Sequence, residues 1–238
     1  MTDLVPGAVN FRDTGGLHAG SGVTRDGVLF RSGDLSRVHD AGIAALRTLG
    51  IRRVIDLRAD DEVARSPSTL RPLGATVQHV PLFLGSVTSF FANDVSLAEM
   101  YRHIVDDAGD AVVAAVRGVL ADQPVLVHCT VGKDRTGVTV ALMLAAAGVD
   151  TDDVVADYAR TERLLPAAGT AAAVAFLRAR HPQAKHLEEL ATRSPAPVMQ
   201  DLLADVTARF GSPADYLRAQ GMSDDEVTEL RRVLIAGE

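Results

Sequence analysis

The sequence has little cysteine and little lysine. Its 238 residues contain one cysteine, Cys129, and among its 24 basic residues only Lys133 and Lys185 are lysine. A single cysteine cannot form an intrachain disulfide, so no disulfide framework stabilises the fold. The longest apolar run, residues 138–149, falls short of the roughly 20 residues that span a bilayer, and we expect no stable membrane insertion.

A secretory signal and an excess of positive charge are also missing. The first residues lack a basic stretch followed by an apolar segment, so we expect a cytoplasmic protein, with signal-independent export left open. The net charge of −7 argues against general nucleic-acid binding, because nucleic acids attract basic surfaces. These properties leave the oligomeric state undetermined.

Composition and apolar periodicity predict an α/β protein. The apolar fraction of 47% and the charged fraction of 23% are typical of a globular chain, and we expect a single domain over residues 1–238. Short apolar runs at 51–57, 76–82 and 125–128 predict strands that alternate with helices, whereas the chain after residue 151 has helical patterns only. The expected architecture is a central, mostly parallel sheet flanked by helices, with a helical C-terminal half.

Two local patterns predict further structure. Asp26-Gly27 suits a tight turn and predicts a hairpin between strands at residues 23–24 and 28–30. The capping box Ser96-Leu-Ala-Glu99 predicts the start of an amphipathic helix. The apolar residues before it, Phe83, Leu84, Phe90 and Phe91, predict either an apolar lid, helical and within residues 84–107, or a core cluster.

The segment with the largest group of candidate catalytic residues is the Cys129 loop, which we define as residues 128–137. It lies between an apolar strand pattern and a buried helix pattern. A strand-to-helix loop of this length can turn its N–H groups inward and form an anion-binding nest at the positive end of the helix. There the N–H dipoles and Arg135 would favour the thiolate form of Cys129, which makes it a nucleophile. The loop reads His128-Cys129-Thr130-Val131-Gly132-Lys133-Asp134-Arg135-Thr136-Gly137.

The spacing of Cys129 and Arg135 fits phosphate chemistry. The planar guanidinium of Arg135 can hold two phosphoryl oxygens and stabilise the charge of an in-line displacement. Thr136 can donate a hydrogen bond to the sulfur as it leaves the phosphoryl group. The residues expected to line the phosphate are Thr130, Val131, Gly132, Lys133, Thr136 and Gly137.

The loop resembles the signature of cysteine-dependent phosphatases, and its Gly-Lys-Asp-Arg-Thr-Gly form resembles a bacterial protein-tyrosine-phosphatase-like family. The resemblance implies a phosphatase fold, two-step hydrolysis through phosphocysteine, and no metal or other cofactor. It also implies a phosphorylated protein as substrate, with phosphoserine, phosphothreonine or phosphoinositides as additional substrates. Further segments that resemble this family are Asn10-Phe11-Arg12-Asp13, Leu29-Phe30-Arg31-Ser32, Val54-Ile55-Asp56-Leu57-Arg58, Asp157-Tyr158 with Thr161-Glu162, and Phe210-Gly211-Ser212.

Two aspartates compete for the role of general acid, which must protonate the leaving group. The resemblance favours Asp134, inside the loop. Asp94, in a stretch of turn and aromatic character 35 residues before Cys129, is the alternative.

Supporting residues are expected at the same edge of the sheet. Asp56 and Arg58 follow a strand pattern, and His128 precedes the nucleophile, where we expect it to fix the loop geometry. The ammonium of Lys133 suits a second phosphate or a charged headgroup. A phosphate-binding module without turnover and a sulfur-transfer enzyme remain the alternative functions.

Overall fold

The computed structural model describes residues 4–82 and 93–237. Within these residues the chain alternates strands and helices in its first half and is almost entirely helical afterwards. The strands are β1 (Arg12–Asp13), β2 (His18–Ala19), β3 (Gly22–Thr24), β4 (Leu29–Ser32), β5 (Arg53–Asp56), β6 (Thr76–His79), β7 (Val125–His128) and β8 (Ile235–Ala236).

The helices of the first half are α1 (Asp40–Thr48), α2 (Asp60–Arg65), α3 (Leu97–Asp107), α4 (Gly109–Ala121) and α5 (Arg135–Ala146). Those of the second half are α6 (Thr151–Ala159), α7 (Thr161–Leu164), α8 (Ala167–Arg180), α9 (Leu187–Thr192), α10 (Ala196–Phe210), α11 (Pro213–Ala219) and α12 (Asp224–Leu234). In the part of the chain that the structure describes, no helix is long and apolar enough to cross a membrane.

The main sheet has five strands in the order β1-β4-β7-β5-β6. The pairs β4 with β7, β7 with β5 and β5 with β6 are parallel, and only β1 runs antiparallel to its neighbour. All four residues of β7 are buried, as expected for a strand covered on both faces. The predictions of an α/β fold, a mostly parallel sheet and a helical C-terminal half are confirmed.

The two faces of the sheet pack against different helices. Phe30 and Leu126 belong to the apolar cluster that contains Ile43 of α1. Val125 and Val127 point to the opposite face and belong to the larger cluster that includes α3, α4 and α5. Because successive residues of a strand alternate sides, β4, β5 and β7 each contribute to both clusters, and the sheet edge with the Cys129 loop is held between them.

The hairpin prediction is wrong. β3 and β4 do not pair with each other: β3 lies in a second sheet between β2 and β8, and β4 lies in the main sheet between β1 and β7. The turn signal at Gly27 is real, because its φ is +72°. However, β4 is buried at every position and gains more by pairing with buried β7 than with β3.

The structure describes only part of the segment for which we predicted a lid. Residues 83–92 lie outside the described residues. The helix that follows them is α3, with Ser96 as its N-cap, and it forms the expected capping box with Glu99. The apolar face of α3 packs into the larger cluster, so the described part of the 84–107 segment belongs to the core.

Candidate active site

The Cys129 loop lies at the carboxyl end of β7, the central strand of the main sheet. β7 ends at His128 and α5 begins at Arg135, so the loop joins a buried strand to the N-terminus of a buried helix. Open α/β sheets bind ligands at this edge, and a helix N-terminus presents unpaired N–H groups to an anion. The Cys129 side chain is 2% exposed, and the Gly132 N–H donates to its Sγ at 3.3 Å.

The carbonyls of the loop point away from the sulfur, because donors from the N-terminal segment bind them. Thr130 O accepts from the backbone N–H of Asp34 at 3.0 Å, and Gly132 O accepts from Nη2 of Arg31 at 3.0 Å. In a planar trans peptide the N–H points opposite to the C=O. The Gly132 N–H, which follows a carbonyl bound by Asn10 Nδ2, points to Cys129 Sγ, as an anion-binding nest requires.

Gly132 is required at its position. Its φ is +72°, a conformation that side chains other than glycine rarely adopt. A Cβ there would also lie 2.4 Å from the backbone carbonyl of Ser32. The backbone of the loop can approach β4 only because this residue has no side chain.

A buried ionic network supports the loop from beneath. Arg12 Nε donates to Asp157 Oδ1 at 2.7 Å, and Arg31 Nη1 donates to Asp157 Oδ2 at 2.6 Å. Burial alone would raise the pKa of Asp157, but the two guanidinium groups lower it. Burial and the charge of Arg31 lower the pKa of Arg12 to about 10. Asn10 adds a hydrogen bond from Nδ2 to Gly132 O at 2.9 Å, so Asn10 and Arg31 both donate to this loop carbonyl.

Arg135 is held by a glutamate that sequence reasoning missed. Glu62, on α2, accepts hydrogen bonds from Nη1 and Nη2 of Arg135 at 2.5 and 2.8 Å. The same carboxylate accepts a hydrogen bond from the Thr130 hydroxyl. Burial opposes ionisation of Glu62, but its bonds with Arg135 lower its pKa to about 2. The Glu62 carboxylate therefore fixes the orientation of the Arg135 guanidinium.

Asp134 is held by two donors. Lys133 Nζ donates to its Oδ1 at 2.6 Å, and the Tyr101 hydroxyl donates to the same oxygen at 2.9 Å. Lys133 is fully buried. Its ammonium therefore pairs with Asp134 inside the protein, and its contact with a second phosphate stays a prediction.

The alternative acid, Asp94, has a different environment. Its Oδ1 accepts hydrogen bonds from the backbone N–H groups of Lys185 and His186, at 2.6 and 3.1 Å. These bonds, led by that of His186, lower the pKa of this exposed carboxyl group. The contacts connect Asp94 to the chain just before α9.

Asp56 and Arg58 form part of the scaffold beside the loop. Arg58 Nη2 donates to Asp56 Oδ2 at 2.6 Å, and Arg58 Nη1 donates to the backbone O of Ser66 at 2.8 Å. Because Ser66 ends α2, Arg58 fixes the helix that carries Glu62. His128 Nε2 lies 3.6 Å from Asp56 Oδ2, and burial lowers the pKa of this histidine.

The last two predicted residues of the Cys129 loop, Thr136 and Gly137, lie inside α5. The buried Thr136 Oγ1 has no hydrogen-bond partner among the described residues, so the expected bond to the sulfur is not formed in this state. Gly137 allows close packing, since a Cβ there would lie 3.1 Å from the Tyr158 ring and 3.3 Å from Arg31 Nη2. The predicted site residues between positions 128 and 137 therefore lie in one loop and in the first turn of α5.

Sequence comparison places the whole chain in one family. The model of the tyrosine phosphatase family matches residues 4–236. The triple specificity protein phosphatase PtpB of Mycobacterium tuberculosis is 33% identical, over 97% of this chain and 98% of its own length. A tyrosine-protein phosphatase of Nostoc commune is 31% identical, over 84% of this chain and 72% of its own.

Among solved structures, the comparison matches the core catalytic domain of the PP-IP phosphatase SIW14 from S. cerevisiae. It is 17% identical, covers 66% of this chain and 78% of its own, and has a TM-score of 0.41. The family match spans both the Cys129 loop and the N-terminal and C-terminal segments that support it. The chain therefore belongs to the tyrosine phosphatase family.

Proposed function

We propose that this protein hydrolyses phosphate monoesters through a phosphocysteine at Cys129, with phosphotyrosine in proteins as its main substrate. The observation that carries this function is the hydrogen bond from the Gly132 N–H to Cys129 Sγ, in a loop that ends at the N-terminus of α5. Membership of the tyrosine phosphatase family supports the same reaction.

Substrate binding uses the nest and Arg135. The N–H groups of the Cys129 loop donate hydrogen bonds to the phosphoryl oxygens, and the guanidinium binds two of these oxygens in a bidentate arrangement. Since Glu62 already occupies Nη1 and Nη2 of Arg135, a phosphoryl group must share the guanidinium with this carboxylate or displace it.

In the first step, a lone pair of the Cys129 thiolate forms a bond to phosphorus while the bond between phosphorus and the ester oxygen breaks. The ester oxygen takes the electron pair of that bond and a proton from the carboxyl group of Asp134. The products are phosphocysteine, the free alcohol or phenol, and the Asp134 carboxylate. Arg135 and the loop N–H groups stabilise the charge on the three remaining oxygens.

In the second step, water attacks phosphorus and gives a proton to the Asp134 carboxylate. The bond between sulfur and phosphorus breaks, and the electron pair returns to sulfur as thiolate. Inorganic phosphate leaves, and the enzyme regains its starting protonation state. Each proton and electron pair is balanced without a cofactor.

We include phosphoserine, phosphothreonine and phosphoinositides as additional substrates. The support is the similarity to PtpB, a protein named as a triple specificity phosphatase. Because Lys133 is buried against Asp134, recognition of a second phosphate would have to use other groups or a rearranged Lys133.

The test is phosphate release from a phosphotyrosine peptide, a phosphoserine peptide and phosphoinositide vesicles in the presence of EDTA. We expect the phosphotyrosine peptide to be hydrolysed fastest and Cys129→Ser to abolish release. Binding of these substrates without release would indicate a phosphate-binding module. Cyanide-dependent consumption of thiosulfate without phosphate release would indicate a sulfur-transfer enzyme.

A further inference from the structure

Two buried tyrosine hydroxyl groups connect α6 to Asp134. Tyr101, on α3, is fully buried, and so is Tyr158, on α6. Their hydroxyl oxygens lie 2.7 Å apart, and the Tyr101 hydroxyl lies 2.9 Å from Asp134 Oδ1. The two rings pack edge to face, with centroids 5.9 Å apart, which fixes both hydroxyls in place.

The hydrogen bonds of these hydroxyl groups can run in only one direction. A phenol has a single hydrogen, and Tyr101 donates it to Asp134. The contact between the two hydroxyls then requires Tyr158 to donate to the oxygen of Tyr101. Burial, followed by the charge of Asp134, raises the pKa of Tyr101 well above its usual value, so the phenol keeps its proton.

Both donors to Asp134 bind the same carboxyl oxygen. Lys133 Nζ and the Tyr101 hydroxyl converge on Oδ1, whereas among residues 4–82 and 93–237 no donor binds Oδ2. In a neutral carboxyl group the oxygen that accepts two hydrogen bonds is the carbonyl oxygen, and the other oxygen carries the proton. The arrangement therefore directs the transferable proton to Oδ2.

We propose that Tyr101, supported by Tyr158, is a positioning residue that orients the Asp134 carboxyl group so that Oδ2 delivers the proton to the leaving group. This inference rests on the proposed function, because it assigns a role within that reaction. Tyr101 donates to Asp134 and acts on the leaving group through it.

The position of Tyr158 connects these hydroxyl groups to the network beneath the loop. Tyr158 directly follows Asp157, which binds Arg31, and Arg31 donates to Gly132 O. One turn of α6 thus supports the Cys129 loop at two points. Asp157 holds the Gly132 carbonyl through Arg31, and Tyr158 holds the Asp134 carboxyl group through Tyr101.

The test compares Tyr101→Phe in two backgrounds. The measured quantity is kcat/KM, which reports formation of phosphocysteine, for a phosphotyrosine peptide and for p-nitrophenyl phosphate. In the wild-type background we expect a loss on the order of 10-fold with the peptide and under about 2-fold with the activated ester, since a good leaving group needs little protonation. In an Asp134→Asn background the same substitution should cost less than about 2-fold, because Tyr101 acts through Asp134.

The matched control is Tyr216→Phe. Tyr216 is also fully buried, and its hydroxyl donates to Val105 O on the same helix α3, away from Asp134. The control should leave both rates within about 2-fold of wild type. Equal losses from Tyr101→Phe in the two backgrounds, equal losses with the two substrates, or no loss at all would overturn the proposal.

A spectroscopic measurement separates this proposal from the proposed function. We expect the 13C resonance of the Asp134 side-chain carboxyl to shift in Tyr101→Phe and to stay in place in Tyr216→Phe. If the wild-type protein releases no phosphate, the proposed function fails, and an unmoved Asp134 resonance would then overturn the positioning role as well. If the protein is inactive and the resonance shifts, the contact between Tyr101 and Asp134 exists in solution and only its catalytic role is rejected.

Discussion

Arg31 and Asp157 form a buried ion pair directly beneath the Cys129 loop, with Arg31 Nη1 donating to Asp157 Oδ2 at 2.6 Å. Both side chains are almost fully buried. The other end of the same guanidinium binds Gly132 O, so a single arginine connects the loop to α6. The ion pair therefore links the position of the loop to the stability of the core.

Asp157→Asn should destabilise the protein by about 3 kcal/mol, because it leaves two buried guanidinium groups with an uncharged partner. Urea unfolding at neutral pH measures this loss. The control is Asp205→Asn, which breaks an exposed ion pair with Arg209 and should cost less than about 1 kcal/mol. Equal losses from the two substitutions would contradict the structural role of Asp157.

The ion pair between Glu62 and Arg135 should make stability depend on pH. The pKa of Glu62 is about 2 in the folded protein, against an ordinary value of 4.5. A carboxyl group with a lowered pKa stabilises the fold above its ordinary pKa, and this contribution is lost as the pH falls toward the lowered value. Glu62 therefore contributes fully at neutral pH and progressively less below about pH 4.5.

Glu62→Gln removes this dependence. Between about pH 6 and pH 3.5, the wild-type protein should lose roughly 1 kcal/mol more of its free energy of unfolding than Glu62→Gln does. Urea titrations at the two pH values give this difference directly. The other carboxyl groups titrate in both proteins, so parallel pH profiles would show that Glu62 does not pair with Arg135 in solution.

The two candidate acids predict different results. Asp134→Asn should lower kcat/KM for a phosphotyrosine peptide on the order of 100-fold, because the leaving group loses its proton donor. It should lower kcat/KM for p-nitrophenyl phosphate far less. Asp94→Asn should change either rate less than about 2-fold, since the Asp94 carboxylate binds backbone N–H groups of Lys185 and His186. The reverse ranking would assign proton donation to Asp94.

The sequence predicted those parts of the fold whose signal is local. The strands at 53–56 and 125–128 are short, apolar and bounded by turns, and most helices follow apolar periodicity. The two-residue strands β1, β2 and β8 are too short to show periodicity, and only their pairing in the fold defines them. The hairpin prediction failed for the same reason: burial of β4 decided its partner, whereas Asp26-Gly27 determined only the turn.

In the candidate site, too, local sequence signals identified only some of the residues. The residues of the Cys129 loop are contiguous, and their chemistry could be recognised from residue types and spacing. Glu62, Tyr101 and Asp157 come from three separate helices. In the folded chain Glu62 and Tyr101 contact the loop directly, and Asp157 reaches it through Arg31. Asp157 lies in a family-like segment, but no local pattern indicates that its carboxylate binds Arg12 and Arg31.

The identity of the nucleophile is tested most directly by trapping the intermediate. Rapid acid quenching of the protein during turnover of a phosphotyrosine peptide, followed by peptide mass spectrometry, should find one phosphoryl group on the peptide that contains Cys129. The Cys129→Ser protein should release no phosphate and should yield no phosphocysteine. A phosphoryl group on any other residue, or undiminished phosphate release by Cys129→Ser, would contradict the central role of Cys129.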